Sequence, residues 1–173
     1  MMTRWTGTLL LALATGALLT GCTPDASEPT PTPTLSFSSD EDAFAAAEAT
    51  YRAYVDALNE ARADDAASPA PIDFLSGEAL ETELETARQL DALGLTVRGD
   101  TRIAAVTPVE RTGNDTVTIE VCLDSADTMI YDTNGDDVTP PTRETRLRLT
   151  VDVTRIGDTL AIARSDRTSE EPC

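Results

Sequence analysis

Large apolar side chains recur at helical spacing through an alanine-rich stretch, residues 41–66. Steps of seven, four and three residues place them in one stripe, so the pattern predicts a first helix with one buried face. Ser38, Ser39 or Asp40 can cap its start, and the acidic first turn suits the positive end of the helix dipole. The stripe consists of Phe44, Tyr51, Val55 and Leu58.

A second helix is predicted to begin at Ser76 and to end at Gly94, a residue type that favours the backbone conformation found just beyond a helix. Its apolar face consists of Leu80, Leu84, Ala87, Leu90 and Leu93. Its polar face consists of Glu81, Glu83, Glu85 and Arg88. A pair of carboxylates such as Glu81 and Glu85 can in principle serve as general acid and general base. Among 31 acidic residues such pairs arise by chance, so we interpret this face as solvated.

After Gly94 the period of the pattern changes to two. Residues 116–123 and 146–153 alternate strictly, which predicts antiparallel strands with one face on a core and the other in water. In this register Leu147, Leu149, Val151 and Val153 pack against the helices, and Arg146 and Arg148 face solvent. Weaker strands are predicted at 102–109, 128–131 and 160–164. Glycine-containing hairpin turns are predicted at 111–114, 134–136 and 156–158.

Two helices followed by four or five antiparallel strands predict an α+β domain over residues 41–173, in which the N-terminal helices pack on a curved antiparallel sheet. Four sequence segments carry a family resemblance: Ala49–Tyr54, Val121–Asp124, Asp132–Val138 and Pro172–Cys173. With this layout, the chain resembles the lipid-anchored actinobacterial branch of the NTF2-like superfamily. The resemblance implies a cone in which the sheet cups the helices, with an interior that can hold a cavity.

The N-terminus combines Arg4 with a short apolar run, Leu9 to Leu19, which is too short to span a membrane stably. It is typical of a secretory signal peptide, predicted over residues 1–21. The run ends in Leu19-Thr20-Gly21-Cys22, which resembles the lipobox of bacterial lipoproteins. That resemblance implies cleavage before Cys22 and lipidation of its thiol, a stable anchor when two or more acyl chains are attached. An ordinary secreted protein with a chance cysteine is the alternative.

Residues 22–40 contain mainly Thr, Ser and Pro after the cysteine, a composition typical of a disordered tether. The chain is strongly acidic, with a net charge of −18 over its whole length. All 13 of its basic residues are arginine. Nucleic acids and anionic lipid surfaces both require basic clusters, so this composition disfavours both as partners. The predicted location is the extracytoplasmic face of the cell membrane, with a lipid anchor.

Few residues offer catalytic or metal-binding chemistry. Histidine is absent, which removes the commonest general base and metal ligand. Asp132, Asn134 and Asp136 occupy positions 1, 3 and 5 of an EF-hand-like loop. Asp137 and Arg143 then stand where glycine and glutamate are required, so a tight hairpin is the better interpretation. Neither a metal site nor a cofactor is expected.

Two cysteines remain once Cys22 is lipidated, and exported proteins keep disulfides. Cys122 falls on the polar side of its strand, and Cys173 ends a tail without apolar residues, from Arg167 to Pro172. A disulfide between Cys122 and Cys173 is therefore predicted. The alternative is one buried thiol and one stray terminal thiol.

Together these patterns predict a non-catalytic binding or interaction module of the cell envelope, with a small molecule or an envelope protein as its partner and no assigned catalytic residue. The alternative is a small-molecule isomerase or hydrolase with an Asp/Tyr site inside the cone. In that case Tyr51 or Tyr54 would donate to an oxyanion, as a tyrosine does in ketosteroid isomerase. An enclosed cavity with a buried carboxylate next to a Tyr or Arg would favour the enzyme, and a filled interior would favour the module.

Overall fold

Two helices followed by six strands form an α+β domain, as predicted. The computed structural model describes residues 37–168 and Cys173. The helices are α1, Asp40–Ala63, and α2, Gly77–Leu93, with a short 3₁₀ helix at Pro71–Phe74 between them. The strands are β1 Thr96–Arg98, β2 Arg102–Thr112, β3 Thr116–Asp124, β4 Met129–Tyr131, β5 Arg146–Ile156 and β6 Thr159–Arg167. Within the described residues, no helix is long and apolar enough to cross a membrane.

The start of α1 and the end of α2 follow the capping signals in the sequence. Ser39 precedes α1, and its hydroxyl oxygen accepts a hydrogen bond from the amide of Asp42 at 3.1 Å. Gly94 ends α2 with φ of 64°, the left-handed conformation that glycine adopts without strain. Ser76 precedes α2, but its side chain makes no capping hydrogen bond. Its amide instead binds the carbonyl of Ile162 on β6 at 2.9 Å, which fixes the start of α2 on the sheet.

The main sheet has four antiparallel strands in the order β2-β3-β5-β6. The predicted meander of four or five strands is wrong in one respect, because β4 does not lie between β3 and β5. It pairs outside the main sheet with β1, a strand that the pattern did not predict. β1 is only three residues long, too short for alternation to reveal it, whereas β4 falls within the strand predicted at 128–131.

The inner face of the sheet supports α1. Val117, Ile119 and Val121 of β3 and Val151 and Val153 of β5 are at most 1% exposed. They form the core with Tyr51 and Val55 of α1. The predicted register is confirmed: odd-numbered residues of these strands point inward and Arg146 is exposed. Leu147 and Leu149 are only half-buried, because they line a cavity described below.

The apolar face of α2 is less buried than its spacing predicts. Ala79 is buried and Leu80 packs against the core, but Leu84 is 43% exposed and Leu93 is 70% exposed. The predicted burial of Leu84 is therefore wrong, whereas Leu90 is half-buried, and the main sheet contacts of α2 are with β6. Its later turns are exposed apart from Leu90.

The outer face of the sheet carries paired polar side chains and the disulfide. Arg148 of β5 forms an ion pair with Glu120 of β3 at 2.7 Å, and Thr118 donates to Asp152 at 2.7 Å. Beside them the sulfur atoms of Cys122 and Cys173 lie 2.02 Å apart, at disulfide distance. The predicted pairing is confirmed. It attaches the last residue of the chain to β3, which β5 separates from β6.

Phe37 holds the start of the domain against the end of the sheet where β2 turns into β3. The guanidinium carbons of Arg111 and Arg155 lie 5.6 and 5.2 Å from the centre of its ring, within cation–π range. Arg111 also forms an ion pair with Asp40 at 2.9 Å. Phe37 thus has a defined place at the end of the predicted tether. Residues 1–36, including the predicted signal peptide and Cys22, lie outside the described part of the chain.

Candidate functional site

A cavity of about 300 Å³ lies between the two helices and the sheet, at the end of the sheet where β3 finishes and β5 begins. Its apolar wall is formed from both helices, the segment before α2 and three strands of the sheet. A dry apolar cavity of about 150 Å³ already accepts benzene, so a small molecule fits here. The apolar lining consists of Val55, Leu58, Leu75, Ala79, Leu123, Leu147, Leu149 and Ile162.

The cationic group of the cavity is Arg62, in the last turn of α1. Its Nη1 donates to the hydroxyl of Thr101 at 2.9 Å and to the carbonyl of Gly99 at 3.2 Å. The side-chain amide of Asn59 holds the backbone of Thr101 by two hydrogen bonds, each of 2.9 Å. Burial lowers the pKa of Arg62, and the negative charges of Glu83 and Asp100 act against that shift. The guanidinium is thus held in place by hydrogen bonds to Thr101 and Gly99 and is not a freely solvated side chain.

The anionic group is Glu83 of α2, which also lines the cavity. It is half-buried, and within residues 37–168 and Cys173 no hydrogen bond or ion pair engages its carboxylate. Burial raises its pKa, and the positive charge of Arg62 offsets part of the rise. The sequence-based interpretation of Glu83 as solvated is wrong. Glu81 and Glu85 are exposed as expected, and Glu85 forms an ion pair with Arg88 at 3.0 Å.

Two tyrosines complete the polar part of the site. The rings of Tyr51 and Tyr54 lie 5.8 Å apart, and both side chains line the cavity. Burial raises the pKa of Tyr51 to about 12, and a hydrogen bond with Ser165 opposes it. Burial also raises the pKa of Tyr54, and the negative charge of Glu83 adds to that effect. Both hydroxyls stay protonated at neutral pH and serve as hydrogen-bond donors.

The structure brings together only part of the Asp/Tyr site that the enzyme hypothesis requires. Tyr51 and Tyr54 lie in the cavity, but its carboxylate is a glutamate, and no aspartate is among the described residues that line it. The sequence contains one faint signal for this. Arg62 and Glu83 are polar residues beside the apolar stripes of α1 and α2, at the points where each helix passes the rim of the sheet.

The EF-hand-like loop has the geometry of a hairpin turn. Asp132 Oδ1 accepts hydrogen bonds from the amides of Asn134 and Asp136, both at 2.9 Å. Hydrogen bonds to Asp136 and Asn134 lower the pKa of Asp132. The carboxylate is thus directed at the loop's own backbone. No group of three or more potential metal ligands occurs among the residues that the structure describes.

Glu83→Gln is expected to stabilise the protein at neutral pH. Burial raises the carboxyl pKa in the folded state, so above that pKa the folded protein pays a desolvation cost that the unfolded chain avoids. The cost decreases as the pH falls through the folded pKa. The thermal unfolding midpoint of Glu83→Gln should exceed that of the wild type at pH 7, and the two should converge below about pH 4.

The exposed Glu81→Gln on the same helix is the matched control and should change the midpoint little at either pH. Equal midpoints for Glu83→Gln and the wild type at pH 7 would contradict the burial of this carboxylate.

No protein-family model matches the sequence, and a search of curated proteins found no match. Among solved structures, the chain is similar to the intermembrane space region of the chloroplast protein ARC6. The TM-score is 0.45 and the sequence identity is 14%, over 70% of this chain and 96% of that chain. A similarity this distant carries no argument about function.

Proposed function

We propose that this protein is a lipid-anchored module of the cell envelope that binds a small, mainly apolar molecule in the cavity between its helices and its sheet. The observation that carries the proposal is the cavity of about 300 Å³, whose wall is apolar apart from a few polar groups. Ligand sites in proteins have this make-up. The proposed anchor rests on the lipobox-like segment Leu19–Cys22. The NTF2-like assignment rests on the four sequence segments that carry the resemblance and on the α+β layout.

Occlusion of the cavity tests ligand binding. Thr82 lines the cavity from the surface of α2, whereas Thr86 lies one turn later, is exposed and is not part of the lining. Thr82→Trp should fill the opening, and Thr86→Trp is the matched control. With the protein in lipid nanodiscs, ¹⁹F line broadening of 4-fluorotoluene should be reduced by Thr82→Trp alone. Equal broadening with both variants would show that the probe partitions into lipid and does not enter the cavity.

Replacement of Cys22 tests the anchor. In cells fed a labelled fatty acid, the wild-type protein should take up the label and sediment with membranes, because acylation of this thiol supplies the anchor. Cys22→Ala should lose both the label and the membrane association. The Cys122→Ala variant is the control and should keep the label. Normal processing and membrane retention of Cys22→Ala would contradict the lipoprotein assignment.

An isomerase or hydrolase is the second candidate function. The observation that favours it is the half-buried carboxylate of Glu83 in one cavity with Tyr54 and Arg62. A carboxylate with a raised pKa is suited to proton abstraction, and a protonated tyrosine can donate to the oxygen that becomes negative. Deuterium uptake by cyclohexanone in D₂O tests this chemistry. Glu83→Gln should abolish any enhanced uptake while 4-fluorotoluene still binds, and a wild-type rate equal to buffer would exclude this reaction.

A further inference from the structure

The cavity contains two opposite charges that do not pair with each other. Arg62 and Glu83 both line it, yet no ion pair joins them within 4.0 Å. Nη1 of Arg62 is engaged by Thr101 and Gly99, whereas its Nε and Nη2 have no hydrogen-bond partner in the described part of the chain. The carboxylate of Glu83 likewise has none there. The site therefore offers donors on one side and an acceptor on the other.

Unpaired charges at a half-buried position are costly, and a protein recovers that cost when a ligand supplies matching groups. Hydrogen bonds to ionised groups are about twice as strong as those between neutral groups. A ligand with only a carboxylate would pair with Arg62 but would bring a like charge towards Glu83. A ligand with only an ammonium group would pair with Glu83 but would repel Arg62.

We infer that the cavity selects a neutral ligand with an apolar body and a dipolar head group that both accepts and donates hydrogen bonds, of which a primary carboxamide is the simplest. This inference rests on the proposed function of the cavity as a ligand site. The carbonyl oxygen accepts from Arg62, and the amide N–H donates to Glu83. The body of the ligand lies against Leu147, Leu149 and Ile162. No covalent step is involved.

Three probes with one apolar body and different head groups test the selectivity. These are 4-fluorobenzamide, 4-fluorobenzoate and 4-fluorobenzylamine, titrated against the protein in lipid nanodiscs and followed by ¹⁹F NMR. The amide should bind about tenfold more tightly than the acid or the amine, which corresponds to one charge-assisted hydrogen bond. Equal affinities for the three probes, or a preference for either charged probe, would overturn the inference.

A charge variant makes the test specific to the two named residues. Glu83→Gln removes the negative charge and leaves Arg62 in place, so benzoate should bind about tenfold more tightly than to the wild type and benzylamine more weakly. Glu81→Gln, an exposed carboxylate on the same helix, should leave all three affinities unchanged. Benzoate affinity that does not respond to Glu83→Gln would overturn the role of Glu83.

The result with 4-fluorotoluene separates this inference from the proposed function. That probe has no polar head, so it reports on the cavity alone. If it binds and Thr82→Trp blocks it, the cavity is a ligand site whatever the three head groups show. If it does not bind in the cavity and the amide does not either, the proposed function itself is wrong.

Discussion

Removal of the Cys122–Cys173 disulfide is expected to lower the free energy of unfolding by about 4 kcal/mol. The two residues are 51 positions apart, and closing a loop of this length removes much of the conformational freedom of the unfolded chain. Strain in the folded state reduces that gain, so about 4 kcal/mol is an upper value. The measurement is urea unfolding of the double variant Cys122→Ala, Cys173→Ala, which leaves no stray thiol, beside the oxidised wild type.

Reduction of the wild type supplies the control for this comparison. A phosphine reductant should lower the urea midpoint of the wild type towards that of the double variant and should leave the double variant unchanged. Thiols are then counted on the wild type, denatured without a reductant. Two reactive thiols per chain, in addition to any thiol of Cys22, would contradict the disulfide.

Ile119→Ala is expected to cost about 2–5 kcal/mol, because it opens a cavity that the surrounding side chains cannot fill. Ile119 is 0% exposed at the centre of β3 and belongs to the core with Tyr51 and Val151. The same change at Ile156, the last residue of β5 and 50% exposed, is the matched control and should cost less than about 1 kcal/mol. Similar losses at the two positions would contradict the inward register of β3.

The alternating strands and the helix limits followed from the sequence because they depend on local patterns. Val117, Ile119 and Val121 alternate with polar residues, and only one register buries all three. Gly94 ends α2 where a left-handed residue is needed. The disulfide was predictable because two cysteines remained once Cys22 was assigned to the predicted lipid anchor, an even number in a chain predicted to be exported.

The candidate site depends on contacts between distant segments, which is why the sequence did not reveal it. Helical spacing puts Glu83 beside Ala79 and Leu80, but spacing alone does not show that a cavity lies there. The position of the cavity depends on where α2 packs on the sheet, which is fixed in part by the Ser76–Ile162 hydrogen bond between residues 86 positions apart. For the same reason the leucines of α2 follow a helical stripe although Ala79 is the one buried residue of the helix.

The contacts of Phe37 fix the place where the chain enters the domain. The chain joins the fold beside Arg111 and Arg155, and from Asp40 the helix α1 rises about 33 Å to Arg62 at the cavity. The residues of α1 that line the cavity begin at Tyr51, in the middle of the helix, and continue away from the end where Phe37 lies. A domain held to a bilayer through the segment before Phe37 would keep its cavity clear of the attachment point, so the anchor and a ligand would not compete for the same surface.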